Sequence, residues 1–156
     1  MGSSEFVYLV RHAKAGERRV WEGDDLDRPL SRKGWRQAHA LGERLADRGA
    51  TTLHSSPYLR CVQTLEPLAE LLGTSVTIDD RLMEDRPFEP VLDLLTDVES
   101  GAVLCSHGDV IPATVAALAR RGMEVESGAD WRKATVWVLK RKGDRITKGR
   151  VWPPPS

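Results

Sequence analysis

Arg11 and His12 stand side by side in "YLVRHAKAG", directly after the apolar run 6–10. A second imidazole, His107, follows another apolar run in "AVLCSHGD", and a second guanidinium, Arg60, lies in "SSPYLRCVQ". Glu84 and Asp85 add carboxylates in "RLMED". Each is ordinary alone: an Arg–His pair is often the solvated start of a loop, and an acidic pair often only caps one. As a set they suit phosphoryl transfer. Guanidinium groups bind phosphate oxygens through paired, charge-assisted hydrogen bonds. Imidazole titrates near neutrality, so one histidine can attack phosphorus as the neutral base and carry the group as phosphohistidine. A second, protonated imidazole can stabilise charge on the equatorial oxygens. A carboxylic acid can protonate the leaving oxygen and later deprotonate the attacking water. Cationic side chains supply the neutralisation, so this chemistry calls for no metal and no other cofactor.

These residues are far apart in sequence, and the elements between them must bring them to one rim. Residues 6–10 read as a strand covered on both faces. Ser31 is a plausible N-cap, and Trp35, Ala38, Leu41 and Leu45 recur at helical spacing up to Gly49. Residues 50–54 read as a second strand. Ser56 as cap and Pro57 at the first position then open a helix to Gly73, which Pro67 should kink or divide. Residues 75–78 and 102–106 read as strands, and 91–98 and 110–120 as helices. Two terminal strands flank "KRKGD", with Gly143 and Asp144 in the turn.

Alternating strands and helices argue for a three-layer α/β/α domain on a mostly parallel sheet, with the terminal hairpin as an antiparallel edge. In such open sheets ligands collect beyond the C-terminal strand ends. That rule selects Arg11 and His12 after the first strand, and Ser55, Ser56 and Arg60 after the second. It also selects Glu84 and Asp85 after the third, and Ser106, His107 and Gly108 after the fourth. The helix N-terminus behind His107 would add N–H donors for an anion.

The chain has 156 residues, which suits a single domain over 5–152 with flexible ends at 1–4 and 153–156. Its 23 basic and 23 acidic side chains balance, so neither a nucleic acid polymer nor a membrane surface is expected as partner. "MGSSEF" lacks the features of a signal peptide, and a cytoplasmic location is expected. Cys61 and Cys105 form no CxxC and have no companion ligand cluster. Free, partly buried thiols are the simpler reading, although a disulfide between them stays open. Oligomeric state is not legible.

"LVRHA", "SSPYLRCVQT" and "CSHGDVI" resemble, in order and spacing, the three signatures of the histidine phosphatase superfamily, the phosphoglycerate-mutase-like fold. Ala13 stands where R-H-G is the commoner form, a departure that leaves the reacting groups untouched. "DRPLSRKGWRQAHALGERL" is similar to the segment that follows the first signature in that family. The size and the "D-x-x-RPLS" form look most like the SixA-type phosphohistidine phosphatases, and like phosphatase domains fused to MutT-type Nudix hydrolases in some bacteria. No Nudix box is present. The resemblance implies His12 as nucleophile, Arg11 and Arg60 as phosphate clamp, and His107 as the second pocket histidine. It implies Glu84 as proton donor, with Asp85 competing for that role or no acid needed at all.

Ser106 and Ser56 are candidate hydrogen-bond donors near the rim, although strand-end serines usually serve turns. Lys14, Arg18, Arg19, Arg32 and Lys33 make the region after the first strand basic; they would either hold further phosphates or form a solvated face. Trp21 is a candidate stacking residue. His39, His54, Trp35 and Trp137 read as structural. The expected partner is a phosphorylated small molecule, such as a nucleotide, or a phosphohistidine protein. A mutase is disfavoured by the short loop 80–90. A non-catalytic module that binds a phosphorylated ligand is the alternative, since fold does not fix function.

Overall fold

The structure, a computed structural model, describes residues 4–155. Its sheet has seven strands: β1 (Glu5–Arg11), β2 (Leu53–Ser55), β3 (Val76–Ile78), β4 (Val103–Ser106), β5 (Glu124–Val125), β6 (Val136–Lys142) and β7 (Arg145–Trp152). They lie in the order β3-β2-β4-β1-β6-β7-β5. The first four are mutually parallel, β6 runs antiparallel to β1, and β7 antiparallel to β6. Four helices are α1 (Arg32–Asp47), α2 (Leu59–Leu72), α3 (Glu89–Asp97) and α4 (Val110–Arg120). None is long and apolar enough to cross a membrane.

Successive side chains of a strand point to opposite faces, and β1 divides its own between two cores accordingly. Val7 and Leu9 join Leu92, Leu95, Ile111 and Val115 of α3 and α4. Tyr8 and Val10 join Leu41, Leu45, Leu65 and Leu68 of α1 and α2. Each such buried Leu contributes roughly 1.5–3 kcal/mol. The three-layer α/β/α architecture expected from the alternation is the observed one.

Ser31 caps α1 as expected, accepting from the Gly34 N–H. The hairpin closes through Gly143, whose φ of 64° only glycine adopts freely. Three expectations change. The outer edge is not the hairpin, because β5 pairs in parallel with β7 beyond it. Helix α2 starts at Leu59 rather than Pro57, and Tyr58 occupies its cap position without a side-chain bond. The Ser56 hydroxyl is instead 2.8 Å from His107 Nε2 and accepts from the Tyr58 N–H. Finally, Pro67 does not divide α2, which runs from Leu59 to Leu72 with the proline inside it. Pro67 is buried where α1 and α2 meet at Gly42, and a Cβ there would lie 3.1 Å from Leu68 N. Packing of this kind, more than local propensity, holds helices in proteins. Of the ends expected to be flexible, residues 1–3 and 156 lie outside the described residues; Pro154 and Pro155 are half-buried.

Candidate active site

Strands β1 and β4 are neighbours, and their connections leave for opposite faces and opposite ends of the sheet: β1 leads to α1, β4 to α4. The crevice this opens past their C-terminal ends is where ligands bind in such sheets. A cleft of about 600 Å³ lies there, lined by Arg11, His12, Lys14, Arg60, Glu84, Asp85 and His107, together with Gly16–Arg18, Arg28, Asp109 and Lys133. Arg11, His12, Lys14, Arg60, Glu84, Asp85 and His107, all candidates from the sequence, therefore share one cavity, whereas Ser56 and Ser106 do not line it.

His12 is 5% exposed, and its backbone is fixed from two sides. Its N–H donates to Ser106 O at the end of β4, and its carbonyl accepts from Ala134 N–H. The next N–H, of Ala13, donates to Thr64 Oγ1, whose hydroxyl donates to Arg60 O. Thr64 thus ties the His12 loop to the turn of α2 that carries Arg60. His12 Nδ1 lies 2.8 Å from Ala13 O. A carbonyl can only accept, so Nδ1 carries the proton and the lone pair sits on Nε2. Burial holds the His12 imidazolium well below its usual range, against the help of the Ala13 bond, and the charges of His107, Arg60 and Arg11 push the same way. The ring is accordingly a neutral base at neutral pH.

His107 faces His12 edge-on, with ring centroids 5.5 Å apart. Its Nε2 is 2.8 Å from Ser56 Oγ and 3.5 Å from Cys61 Sγ, and its ring packs edgewise on Tyr58 at 4.9 Å. Nδ1 is buried without a hydrogen-bond partner, 4.0 Å from Glu84 Oε2. A buried nitrogen left in this state is a ready partner for a ligand oxygen.

The two guanidinium groups are held differently. Arg11 Nη1 donates to Trp131 O, and its plane lies on Gly108, where a Cβ would come 2.7 Å from Arg11 Cζ. Glycine after His107 therefore makes room for the Arg11 fork. Arg60, 1% exposed, donates from Nη1 to Asp25 O at 2.9 Å and from Nη2 to Asp25 Oδ2 and Glu84 Oε1 at 3.2 and 2.9 Å. Nε of both arginines is buried without a partner. Glu84 also meets Arg18 at 3.7 Å. Asp85, by contrast, is exposed in a left-handed conformation, φ 61°, with its N–H bound to Asp109 Oδ2. Of the two carboxylates, Glu84 is the one that touches Arg60.

Ser106 is not brought to the cleft wall. It is fully buried, and its hydroxyl donates to Leu82 O at 2.7 Å, fastening the segment before Glu84 to β4. Lys14 is exposed at the rim. Trp21 lies outside the cleft lining, its indole N–H on Asp24 O. Arg19 pairs with Glu17, and His54 with Thr52. Cys61 and Cys105 are buried free thiols.

Three site residues escaped sequence reasoning. Asp25, in a 3₁₀ turn over 25–27, is the carboxylate that holds Arg28 Nε at 2.8 Å as well as Arg60, with Arg18 at 3.6 Å. Burial works against its ionisation, but the Arg28 bond and the Arg60, Arg28 and Arg18 charges outweigh it and lower its pKa. Arg28 is 5% exposed and lines the cleft. Both stand in the "DLDRPLS" stretch, so a signal existed in the motif without a role attached. Lys133 has no such signal; the unusual φ of 66° at Ala134 bends the chain there.

Fold and cleft together define an α/β domain of the phosphoglycerate-mutase-like class. The chain belongs to the histidine phosphatase superfamily, branch 1, whose family model matches residues 7–89. Over 96% of its length it is 32% identical to the 8-oxo-(d)GTP phosphatase of Mycolicibacterium smegmatis, of which it covers 48%. The chain thus spans about half the length, or less, of the curated relatives it matches. It superposes with a TM-score of 0.80 on a protein of Nakamurella multipartitia provisionally described as phosphohistidine phosphatase SixA, at 25% identity over 99% of both chains. A tungstate complex of the protein histidine phosphatase SixA gives a TM-score of 0.76 at 18% identity, over 97% of this chain and 96% of that one, a likeness of fold.

Proposed function

We propose that this domain is a phosphatase that works through a phosphohistidine on His12 without a metal ion. The observation that carries the reading is the His12 ring: buried, neutral, and with Nδ1–H committed to Ala13 O, so that Nε2 holds the lone pair in a cleft shared with Arg11, Arg60 and His107. In the first step Nε2 forms a bond to phosphorus while the bond to the leaving oxygen breaks. The two arginines and His107 bind the equatorial oxygens, where their unpartnered nitrogens become donors. Glu84 gives its proton to the leaving oxygen. In the second step water attacks phosphorus, Glu84 takes a proton back, and the N–P bond breaks to release phosphate and neutral His12.

The substrate class we favour is a nucleotide or other phosphorylated small molecule rather than a phosphohistidine protein. A cleft of about 600 Å³ walled by the loop at Gly16–Arg18 and by Lys133 suits a small ligand better than a protein surface. The M. smegmatis relative, named for a nucleotide substrate, points the same way.

Phosphate release from an aryl phosphate, nucleoside di- and triphosphates and a phosphohistidine protein, all in excess chelator, tests this. Release that survives chelation and is lost in His12→Ala, with an acid-labile phosphoenzyme in the wild type, is expected. Binding of vanadate without any release would sink the enzymatic reading in favour of a phospho-ligand sensor.

A further inference from the structure

Beside the catalytic cleft lies a second basin of about 610 Å³, lined by Arg11, Lys14, Lys33, Gln37, Arg132, Lys133, Pro154 and Pro155. It shares Arg11, Lys14 and Lys133 with the catalytic cleft, so the two adjoin. The catalytic cleft mixes cations with Glu17, Glu84, Asp85 and Asp109. Among the described residues, the basin wall holds five cationic side chains and no carboxylate, in a chain whose net charge is zero. Arg132 is paired with Asp130 at 2.6 Å, and Asp109, on the catalytic-cleft side, acts on Arg11. Among the ion pairs of the described residues, none involves Arg11, Lys14, Lys33 or Lys133.

Cations crowded together with little counter-charge repel one another unless an anion joins them. Lys133 records that repulsion: burial first, then Arg11, Arg28, Lys14 and Arg60, lower its pKa. Gln37 is already committed, its Oε1 accepting from Lys14 N–H, which fixes the backbone from which Lys14 projects. Pro154 and Pro155, which also line the basin, bring no N–H of their own.

We infer that this basin is a second anion subsite, which binds the non-reacting phosphates of a polyphosphorylated small molecule while the terminal phosphate lies against His12. Lys14 and Lys133 stand between the two phosphates, and Lys33 and Arg132 meet the far end of the chain. The inference deepens the phosphatase reading and rests on it for turnover, but not for binding. Monophosphates fill only the cleft; a phosphate chain engages both basins.

Binding is measured by calorimetry on the His12→Ala protein, so that nothing is turned over, with orthophosphate, pyrophosphate and tripolyphosphate as probes and a nucleoside diphosphate as a fourth arm. Tripolyphosphate should bind about tenfold or more tightly than orthophosphate, since several charge-assisted contacts add to one. Lys33→Glu, alone and with Arg132→Glu, should cut that ratio about fivefold or more, the double change exceeding the single. The single variant alters an exposed side chain, so it guards against loss of fold in the double one. A ratio near one in the parent, or a ratio that neither variant moves, overturns the second subsite. A nucleoside diphosphate that binds no better than pyrophosphate assigns the affinity to the phosphate chain, as inferred; a large excess that survives both variants assigns it to the nucleoside and overturns the inference. Failure of the phosphatase reading is separate: no release from any substrate, whatever the binding ratio.

Discussion

Gly34 lies so close against Lys14 that a Cβ built on it would stand 1.9 Å from the Lys14 carbonyl oxygen. The same oxygen accepts from Ser31 N–H and from the Ser31 hydroxyl, so the first turn of α1 is pressed onto the loop that follows His12. Gly34→Ala should push that loop away. Overpacking of this kind costs about 1–3 kcal/mol, and the displacement should lower kcat/KM for an aryl phosphate in the same protein. Denaturant midpoints and steady-state rates read both; an alanine accepted with neither change would show that the contact does not position His12.

The depressed pKa of His12 sets two pH limits with a definite sign. An ordinary imidazole titrates at 6.5, whereas the folded His12 stays neutral well below that. Between those values the unfolded chain binds a proton that the folded chain does not, so stability rises with pH there. The contribution is complete above 6.5 and is lost as pH falls toward the folded value. His12→Gln should flatten this part of the stability profile. In the wild type, the acid limb of kcat/KM assigned to the nucleophile should lie below 6.5; a limb above it would mean that His12 attacks from a different protonation state.

Glu84 touches Arg60 at 2.9 Å and lies 4.0 Å from His107, which is where the proposed mechanism calls for a proton donor. Glu84→Gln keeps the shape and removes the acid. Hydrolysis of alkyl phosphates should fall by roughly 10²–10⁴-fold, the usual worth of general acid–base catalysis. Phosphoramidates and anhydrides, whose leaving groups need less protonation, should lose far less. Equal losses across the series would assign Glu84 to positioning Arg60 instead.

Arg141 holds the far side of the sheet. It is 4% exposed and donates from Nη1 to Leu95 O and Val98 O at the end of α3, and from Nη2 to Glu5 at 3.2 Å. Glu5 is about a third exposed, so water screens that ion pair and the two carbonyls matter more. Arg141→Ala leaves both carbonyls buried and unpaired, at a cost of about 2–4 kcal/mol. Denaturant unfolding should show this loss while kcat at low temperature stays at the wild-type level.

The layered fold was legible because β1 and β4 are continuous apolar runs and α1 carries both a capping serine and a periodic apolar face. Strand β5 was not, since two exposed residues leave no pattern and only pairing with β7 makes them a strand. Ser56 misled because a hydroxyl before a proline normally opens a helix, and here the buried His107 takes it instead. The candidate residues that line the cleft were readable from residue type, strand-end position and the motif resemblance together. Their supports were not: Asp25 matters only because three arginines fold over it, and Lys133 only because the chain bends at Ala134.

The cleft draws His12 from the first strand's end, Arg60 from α2, Glu84 from the segment before α3, His107 from β4 and Lys133 from the turn before β6. No fragment of the chain contains this site. An anion that binds it binds only the complete fold, and mass action then makes the ligand a global stabiliser, by RT ln(1 + [L]/Kd). Occupancy of the cleft would therefore be felt by proteases at every strand connection, and the abundance of the folded chain would follow the supply of its phosphorylated ligand.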